Sequence, residues 1–388
     1  MACPGVASGL AARMGGPAGA DGMTRRILLI VNGLGLGNST RCHAVIQSLA
    51  AAGATVEVVT SGNGLWFFRD KPEVAAVHEV PALTYGKKNG RLSVMATVAG
   101  LASEAVSILR HTEAVLDQVV RRFRPQVAVT DSIYVFRTFK RHGVAHVALN
   151  NADMVMEAIG RLKGVPASVL PQFCAIELAD YLYHRLYPDL VVSPWLNQPP
   201  VLRHGTYHRI APIVRAGFDP LPPHKGPPRR VVIMLSGSSF GTPVVLRHPP
   251  EGVEIDVVGR AQPAEIPLNP RVRYHGRIID THALLTTADL VVINAGFSAV
   301  SEVRALHLPA VLIPVPRHAE QWANSRLMAD LGVALTATED NLEESLRQAL
   351  GRIDDLRAAC RALPHQPHGA DQAAALILDL AGTGPTCL

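Results

Sequence analysis

A short apolar run, Ile27–Val31, is followed at once by Gly33, Gly35 and Gly37. Helical periodicity then runs from Ser39 to Ala52, Gly53 ends it, and a β-branched run follows at Thr55–Val59. Strand, glycine-rich turn, helix, strand is the βαβ unit, and it narrows the fold more than any other feature of the chain. Two neighbouring parallel strands need a crossover helix, so the sheet they begin is covered on its faces by helices. The alternation continues through Val127–Val129, Val144–Leu149 and Leu190–Val192, with a long helical region between Leu92 and Arg122. It restarts at Arg230–Leu235 and runs on through strands near Val253–Val258, Leu290–Ile293 and Ala310–Ile313; Asp371–Leu380 reads as a terminal helix. Between the two series, Pro220–Pro228 holds Pro220, Pro222, Pro223, Pro227 and Pro228 around His224, Lys225 and Gly226, which suits neither a helix nor a central strand.

The fold class expected is therefore α/β, with two Rossmann-like domains facing each other across a cleft, and ligands at the carboxyl ends of the strands. The predicted boundaries are a flexible Ala- and Gly-rich leader over 1–22, an N-terminal half over 23–219, a linker over 220–228, a C-terminal half over 229–365, and a helix and tail over 366–388. A length of 388 residues accommodates this, and 48% hydrophobic with 18% charged residues is the balance of a globular chain. The net charge of +5 comes from scattered arginines such as Arg121, Arg122 and Arg124, and aromatics make up only 5%, so no nucleic-acid partner is expected. Cys3, Cys42, Cys174, Cys360 and Cys387 never form a CxxC pair, which argues against both a disulfide framework and a zinc site. The weakly polar stretch Leu92–Leu109 is broken by Ser93, Ser103, Glu104 and Ser107 and is too short to span a bilayer. A cytoplasmic monomer or homodimer, in contact with a membrane at its periphery if at all, is the expectation.

Three strand ends carry chemistry. The first is Gly33-Leu34-Gly35-Leu36-Gly37-Asn38-Ser39-Thr40-Arg41, where glycines permit close approach and a helix start offers free N–H groups. It departs from the dinucleotide fingerprint: Asn38 stands where the third glycine belongs, and the second strand ends in Thr60-Ser61 rather than an acid. A tight turn with no ligand is the plainer reading, with Asn38 and Ser39 as helix caps. The second, Ser236-Gly237-Ser238-Ser239-Phe240-Gly241, can wrap amides and hydroxyls around a phosphate. The third runs from Asn294 through Gly296, Phe297, Ser298 and Glu302 to His318, Glu320, Gln321 and Asn324. Gly296 opens a helix start to a diphosphate, Glu302 one turn in can accept from a ribose diol, and Glu320 and Gln321 can read sugar hydroxyls. Against this stand a capping Ser298, a dipole-stabilising Glu302 and solvated Glu320 and Gln321; two such sites at successive strand ends favour a ligand.

These segments resemble a GT-B glycosyltransferase, most closely the MurG-like family 28 and its relatives in the UDP-glycosyltransferase superfamily, over residues 26 to about 350. The resemblance implies a nucleotide-sugar donor, UDP- or dTDP-linked, as co-substrate with no further cofactor. It implies that Glu302 holds the ribose, Glu320 and Gln321 the sugar, and Ser236, Gly237, Ser238, Gly296, Phe297 and Ser298 the diphosphate, with His318 beside them. Arg277 and Ile278 fall where the family presents backbone groups to the base. Hexosyl or N-acetylhexosaminyl transfer to a small-molecule or lipid-linked acceptor follows, the acceptor facing Gly35, Gly37, Asn38 and Ser39. Two positions depart from the family. Its first loop usually carries a His that acts as base; here the residue is Asn38, whose amide can orient an acceptor but cannot take a proton. Asp131, ending the strand Val127–Val129, is the candidate substitute base or else a cap for the next helix. His43, one turn on, is a further candidate or simply a packed His. Retaining relatives place a Glu eight residues before the donor-helix Glu, where this chain has Asn294, so an inverting, metal-independent course is expected. The alternative is a nucleotide-sugar hydrolase or epimerase on the same fold. Leu65-Trp66-Phe67-Phe68 and the Leu92–Leu109 helix, beside Lys87, Lys88 and Arg91, form either ordinary core or an apolar acceptor or membrane surface.

Overall fold

In the computed structural model, which describes residues 24–81, 87–88, 91–92, 94–197, 201–222, 224, 226–235, 244–262, 269–276, 278 and 280–383 (backbone alone at 87–88, 91–92, 94–106 and 383), the chain forms two parallel sheets covered by helices. The first series is β1 (Arg26–Val31), α1 (Leu36–Ala51), β2 (Thr55–Thr60), α2 (Asn63–Phe68), β3 (Val74–Glu79), the small pair β4 (Lys87–Lys88) and β5 (Arg91–Leu92), and α3 (Val94–Phe123). It goes on through β6 (Val127–Asp131), α4 (Arg137–His142), β7 (Ala145–Leu149), α5 (Ala152–Arg161), α6 (Leu170–Gln172), a π-helical turn at Phe173–Glu177, α7 (Leu178–Leu186), β8 (Leu190–Pro194), β9 (Arg203–His204) and β10 (Tyr207–Ile210). The second series is β11 (Arg230–Met234), β12 (Glu254–Val258), β13 (Val272–Gly276), α8 (His282–Leu285), β14 (Leu290–Ile293), α9 (Phe297–Ala305), β15 (Ala310–Leu312), α10 (Ala319–Asp330), β16 (Ala334–Thr336), α11 (Leu342–Gly351), α12 (Ile353–Ala362) and α13 (Gly369–Thr383).

The first sheet runs β3-β2-β1-β6-β7-β8-β10-β9 and the second β13-β12-β11-β14-β15-β16. In each, the chain works outward from its first strand and then returns across it. That reversal leaves a crevice at the strand ends between β1 and β6 and between β11 and β14, where doubly wound sheets hold their ligands. The two-sided burial foreseen for β1 is met: Ile27, Leu29 and Val31 pack on one face with Val45 and Leu49 of α1, while Leu28 and Ile30 pack on the other with Leu116 and Val120 of α3. Full burial of each such side chain contributes about 1.5–3 kcal/mol. β3 and β13 are missing from the sequence reading because none of their residues is fully buried, which leaves no continuous apolar run.

Residues 211–229 join the two sheets, and within them Pro220–Pro228 contains no helix or strand among the described residues. Val214 and Phe218, ahead of those prolines, already pack with Trp195, Phe297 and Val300. The terminal helix is longer than Asp371–Leu380, and it does not stay with the second sheet. Ala370, Ala373, Ala374 and Ile377 of α13 complete the core against α1, Ser48 Oγ donates to Asp371 Oδ1 (2.7 Å), and Ala211 N–H donates to Gln372 Oε1 (2.9 Å). The chain thus crosses between the halves twice. Gly369 makes the return possible, since a Cβ there would lie 2.1 Å from the Ala211 carbonyl oxygen.

Candidate functional site

The starts of α1 and α9, at the two crevices, meet across the cleft, where Ser298 Oγ donates to the Gly37 carbonyl (3.1 Å). Among the described residues no side chain caps either helix start, so the first N–H groups of both face the cleft without a side-chain acceptor from them. Gly296, extended at the entry to α9, has no described residue within 4 Å of the place a Cβ would take. Asn324 of α10, fully buried, donates to the Ala295 carbonyl (2.9 Å) and holds this turn in place. Buried Asn294 donates to the Ile313 carbonyl (3.0 Å) and ties the ends of β14 and β15 together, which gives the residue at the would-be second carboxylate position a structural task.

Glu302, one turn into α9, receives a two-pronged contact from Arg215 of the connecting segment: Nε to Oε1 at 2.7 Å and Nη2 to Oε2 at 3.1 Å. Nη1 of Arg215 reaches Asp280 (3.2 Å), and the guanidinium lies over the Phe218 ring. Burial pushes the Glu302 carboxyl pKa up and Arg215 opposes it. The carboxylate foreseen for a ribose is thus already oriented by a cation that the sequence reading did not include. Ile278 is half-buried nearby in the chain, whereas Arg277, Ser236, Gly237 and Ser238 lie outside the described residues.

The residues expected on the sugar side, Glu320 and Gln321, stand at the start of α10. Glu320 Oε1 accepts from Asn151 Nδ2 of the other half (3.2 Å), and Gln321 Oε1 accepts from the Val315 N–H (2.9 Å), while the Gln321 amide nitrogen makes no hydrogen bond among the described residues. His318 precedes the helix; burial lowers its pKa, and its Nδ1 has no hydrogen-bond partner among the described residues. Ala319 N–H donates to Gln172 Oε1 (2.9 Å), and Gln172 Nε2 donates to Glu177 Oε1 (2.8 Å). Burial, then the neighbouring Glu320 and Asp180 carboxylates, raise the Glu177 pKa to about 8.

On the acceptor side the candidate bases are placed otherwise than expected. Asp131 ends β6 as foreseen, but it is fully buried and accepts from Arg41 Nε (2.9 Å), Arg41 Nη2 (2.5 Å) and the Cys42 thiol (3.1 Å). A carboxylate so enclosed and neutralised is placed neither to take an acceptor proton nor to cap α4, which begins six residues later. His43 is turned toward Glu73 (Nε2 to Oε2, 3.2 Å) and the edge of Phe67, and burial lowers its pKa. It is a packed His. Asn38 is half-buried with its amide in no hydrogen bond among the described residues, while Ser39 is fully buried with an unpartnered hydroxyl. Gly35 has open space around it and Gly37 faces Ser298. Phe67 and Phe68 belong to the core and Trp66 is exposed; the side chains of Lys87, Lys88, Arg91 and most of Leu92–Leu109 lie outside the described residues.

Sequence reasoning thus missed Arg215, Asn151, Gln172 and Glu177, and gave Arg41, the last residue of the first glycine motif, no role of its own. Only Asn150-Asn151, a polar pair directly after the apolar run of β7, carried a signal of the kind used elsewhere.

Residues 25–163 match the model of glycosyl transferase family 1, and residues 272–376 match the glycosyltransferase family 28 C-terminal domain. A UDP-N-acetylglucosamine--N-acetylmuramyl-(pentapeptide) pyrophosphoryl-undecaprenol N-acetylglucosamine transferase from Thermus thermophilus is 31% identical over 244 residues, 56% of this chain and 67% of that one. The Exiguobacterium protein of the same name is 31% identical over 155 residues, 38% of this chain, and there the match spans less than half (42%) of the relative's length. Among solved structures, MurG of Acinetobacter baumannii superposes with a TM-score of 0.59 at 16% identity, covering 92% of this chain and 99% of that one. The glycosyltransferase VinC, solved in complex with dTDP, does so at 0.58 and 19%, covering 92% and 100%. Paired switch-point crevices, an open glycine turn before α9 and these matches lead to one placement: the chain belongs to the GT-B glycosyltransferases, in the MurG-like group that joins families 1 and 28.

Proposed function

We propose that this glycosyltransferase moves a hexosyl or N-acetylhexosaminyl group from a UDP- or dTDP-linked donor to a small-molecule or lipid-linked acceptor, with inversion and without a metal. The observation that carries the reading is the Gly296 turn: an uncapped helix start, no side chain in the way, and Glu302 held by Arg215 one turn further on. The diphosphate lies against the free N–H groups of α9, whose dipole stabilises the charge that grows on the leaving group. Glu302 receives the ribose hydroxyls on the oxygen lone pairs that Arg215 leaves open. Glu320 and the free amide of Gln321 take the sugar, with Asn151 fixing Glu320 from the opposite half. The dTDP bound to VinC and the N-acetylglucosamine donor in the names of the curated relatives support this donor class.

The acceptor approaches from the α1 side, where the Asn38 amide orients it. An acceptor that is already ionised, such as a phosphate or carboxylate, needs no base. The enclosure of Asp131 and His43 favours one second reading, a hydrolase or epimerase acting on the donor alone. Titration calorimetry against UDP, dTDP and a panel of their sugars tests the first step; absence of binding by every nucleoside diphosphate overturns the reading. Mass spectrometry of products made with a cell extract separates the two: a glycosylated product supports transfer, and free sugar or an epimer formed without extract supports the alternative.

A further inference from the structure

Away from the crevices, the far end of α9 faces a small recess of about 30 Å³, partly open to solvent, between the two places where the chain crosses from one half to the other. The connecting segment supplies Asp219 to one wall, the return toward α13 supplies His365, Gln366 and His368 to another, and α9 with the residues after it supplies Arg304 and His307. Arg304 is only 3% exposed. Its one hydrogen bond among the described residues runs from Nη1 to Gln366 Oε1 (2.6 Å), its Nε has no partner, and no described carboxylate lies within ion-pair distance. Among the described residues every other buried guanidinium has a carboxylate: Arg41 has Asp131, Arg209 has Asp153, Arg260 has Glu339 and Arg357 has Asp289.

We infer that this recess is a binding site for a small inorganic oxyanion of the phosphate or sulfate type, with Arg304 as its buried anchor and the imidazoles of His307, His365 and His368 around the mouth. A buried cation without a counter-charge is costly, and a tetrahedral oxyanion supplies both the charge and the acceptors that the unpartnered N–H requires. The electrostatics agree. Burial draws the Arg304 pKa down to about 10, and burial followed by Arg304 and His365 lowers that of His307, as expected where positive groups crowd together. Asp219, exposed and 3.6 Å from His368, is the one carboxylate lining the recess. A cation is not the matching guest, since no described group of three His, Cys, Asp or Glu side chains is spaced to hold a metal. His307 also adopts a left-handed backbone (φ 55°), a conformation uncommon outside glycine, which brings it back beside the end of α9.

The test uses the full chain with saturating UDP or dTDP present, so that the diphosphate site is occupied, and compares sulfate with chloride at matched ionic strength. The wild-type protein is expected to show a saturable rise in melting temperature with sulfate, and Arg304→Met none, while in chloride Arg304→Met melts no lower than wild type. The double variant His365→Gln with His368→Gln, both near the surface, is expected to fold normally and to bind sulfate roughly tenfold more weakly. Inorganic phosphate is expected to reproduce the sulfate response. A wild-type response that is absent or does not saturate, or one of equal size in Arg304→Met, overturns the site. Nucleotide binding by the variants, measured in parallel, keeps this outcome separate from that of the donor-site reading.

Discussion

The two glycine turns look alike in sequence and behave oppositely in structure. The turn after β1 is wedged into its own half: a Cβ on Gly33 would fall 1.6 Å from the Ser61 carbonyl oxygen, Ser39 is fully buried, and Arg41 is locked to Asp131 beneath it. The turn after β14 is held from behind by Asn324 and left open in front. A glycine that makes room for protein and one that makes room for ligand cannot be told apart by residue type. The first turn is therefore a rigid wall of the cleft, and the second is the one that the proposed function makes its receptacle.

The sharpest way to break this contrast is Gly33→Ala beside Gly296→Ala. The first is expected to destabilise by about 3 kcal/mol or more, since backbone must move to admit the methyl group. The second is expected to stay within about 1 kcal/mol of wild type while weakening nucleoside diphosphate binding. Urea midpoints and calorimetry read the two effects; equal losses of stability would erase the distinction. Next in size, Arg41→Met leaves Asp131 buried and unpaired and is expected to cost about 3 kcal/mol. Adding Asp131→Asn restores most of it if the pair is structural, and a double variant that folds yet retains turnover shows that no proton passes through Asp131.

Glu177→Gln extends the comparison to the sugar side. The folded-state pKa is raised from 4.5 to about 8, so the native form holds this proton more tightly than the unfolded chain. Stability is complete below the unfolded value, falls as pH rises between the two, and is level above the folded one. Relative to wild type, Glu177→Gln therefore gains stability across that window, increasingly toward its alkaline end, with little difference at acidic pH. Parallel melting curves against pH, with a constant gap, would show that the carboxyl is not held protonated. The smallest effect is expected of Glu302→Gln, which keeps the shape but loses the charge paired with Arg215. Nucleoside diphosphate affinity falls about tenfold, or about 1.4 kcal/mol, with the urea midpoint nearly unchanged.

The fold was legible because each βαβ unit is written locally: apolar run, glycine, periodic helix, apolar run. The candidate donor residues could be singled out for a related reason, since Gly296, Glu302, Glu320 and Gln321 sit at fixed short distances after their own strands. The partners of those residues were not. Arg215 lies 87 positions from Glu302, Asn151 lies 169 from Glu320, and Gln172 lies 147 from Ala319, and no periodicity spans such gaps. Asp131 shows the limit most clearly. Its position at a strand end was read correctly, but its availability depended on Arg41, which comes 90 residues earlier and looks in sequence like one more surface cation.

The return of α13 to the first half bears on how the chain is made. The apolar face of α1 emerges early, yet part of its cover, Ala370 to Ile377, is joined to it only after more than 300 further residues, as the Ser48–Asp371 contact records. During synthesis the first sheet must wait with that seam unsealed while the entire second half folds. Such a delayed closure leaves apolar surface of α1 uncovered until the end of synthesis, and it makes truncation before Gly369 a defect of the distant first half rather than of the half that is cut.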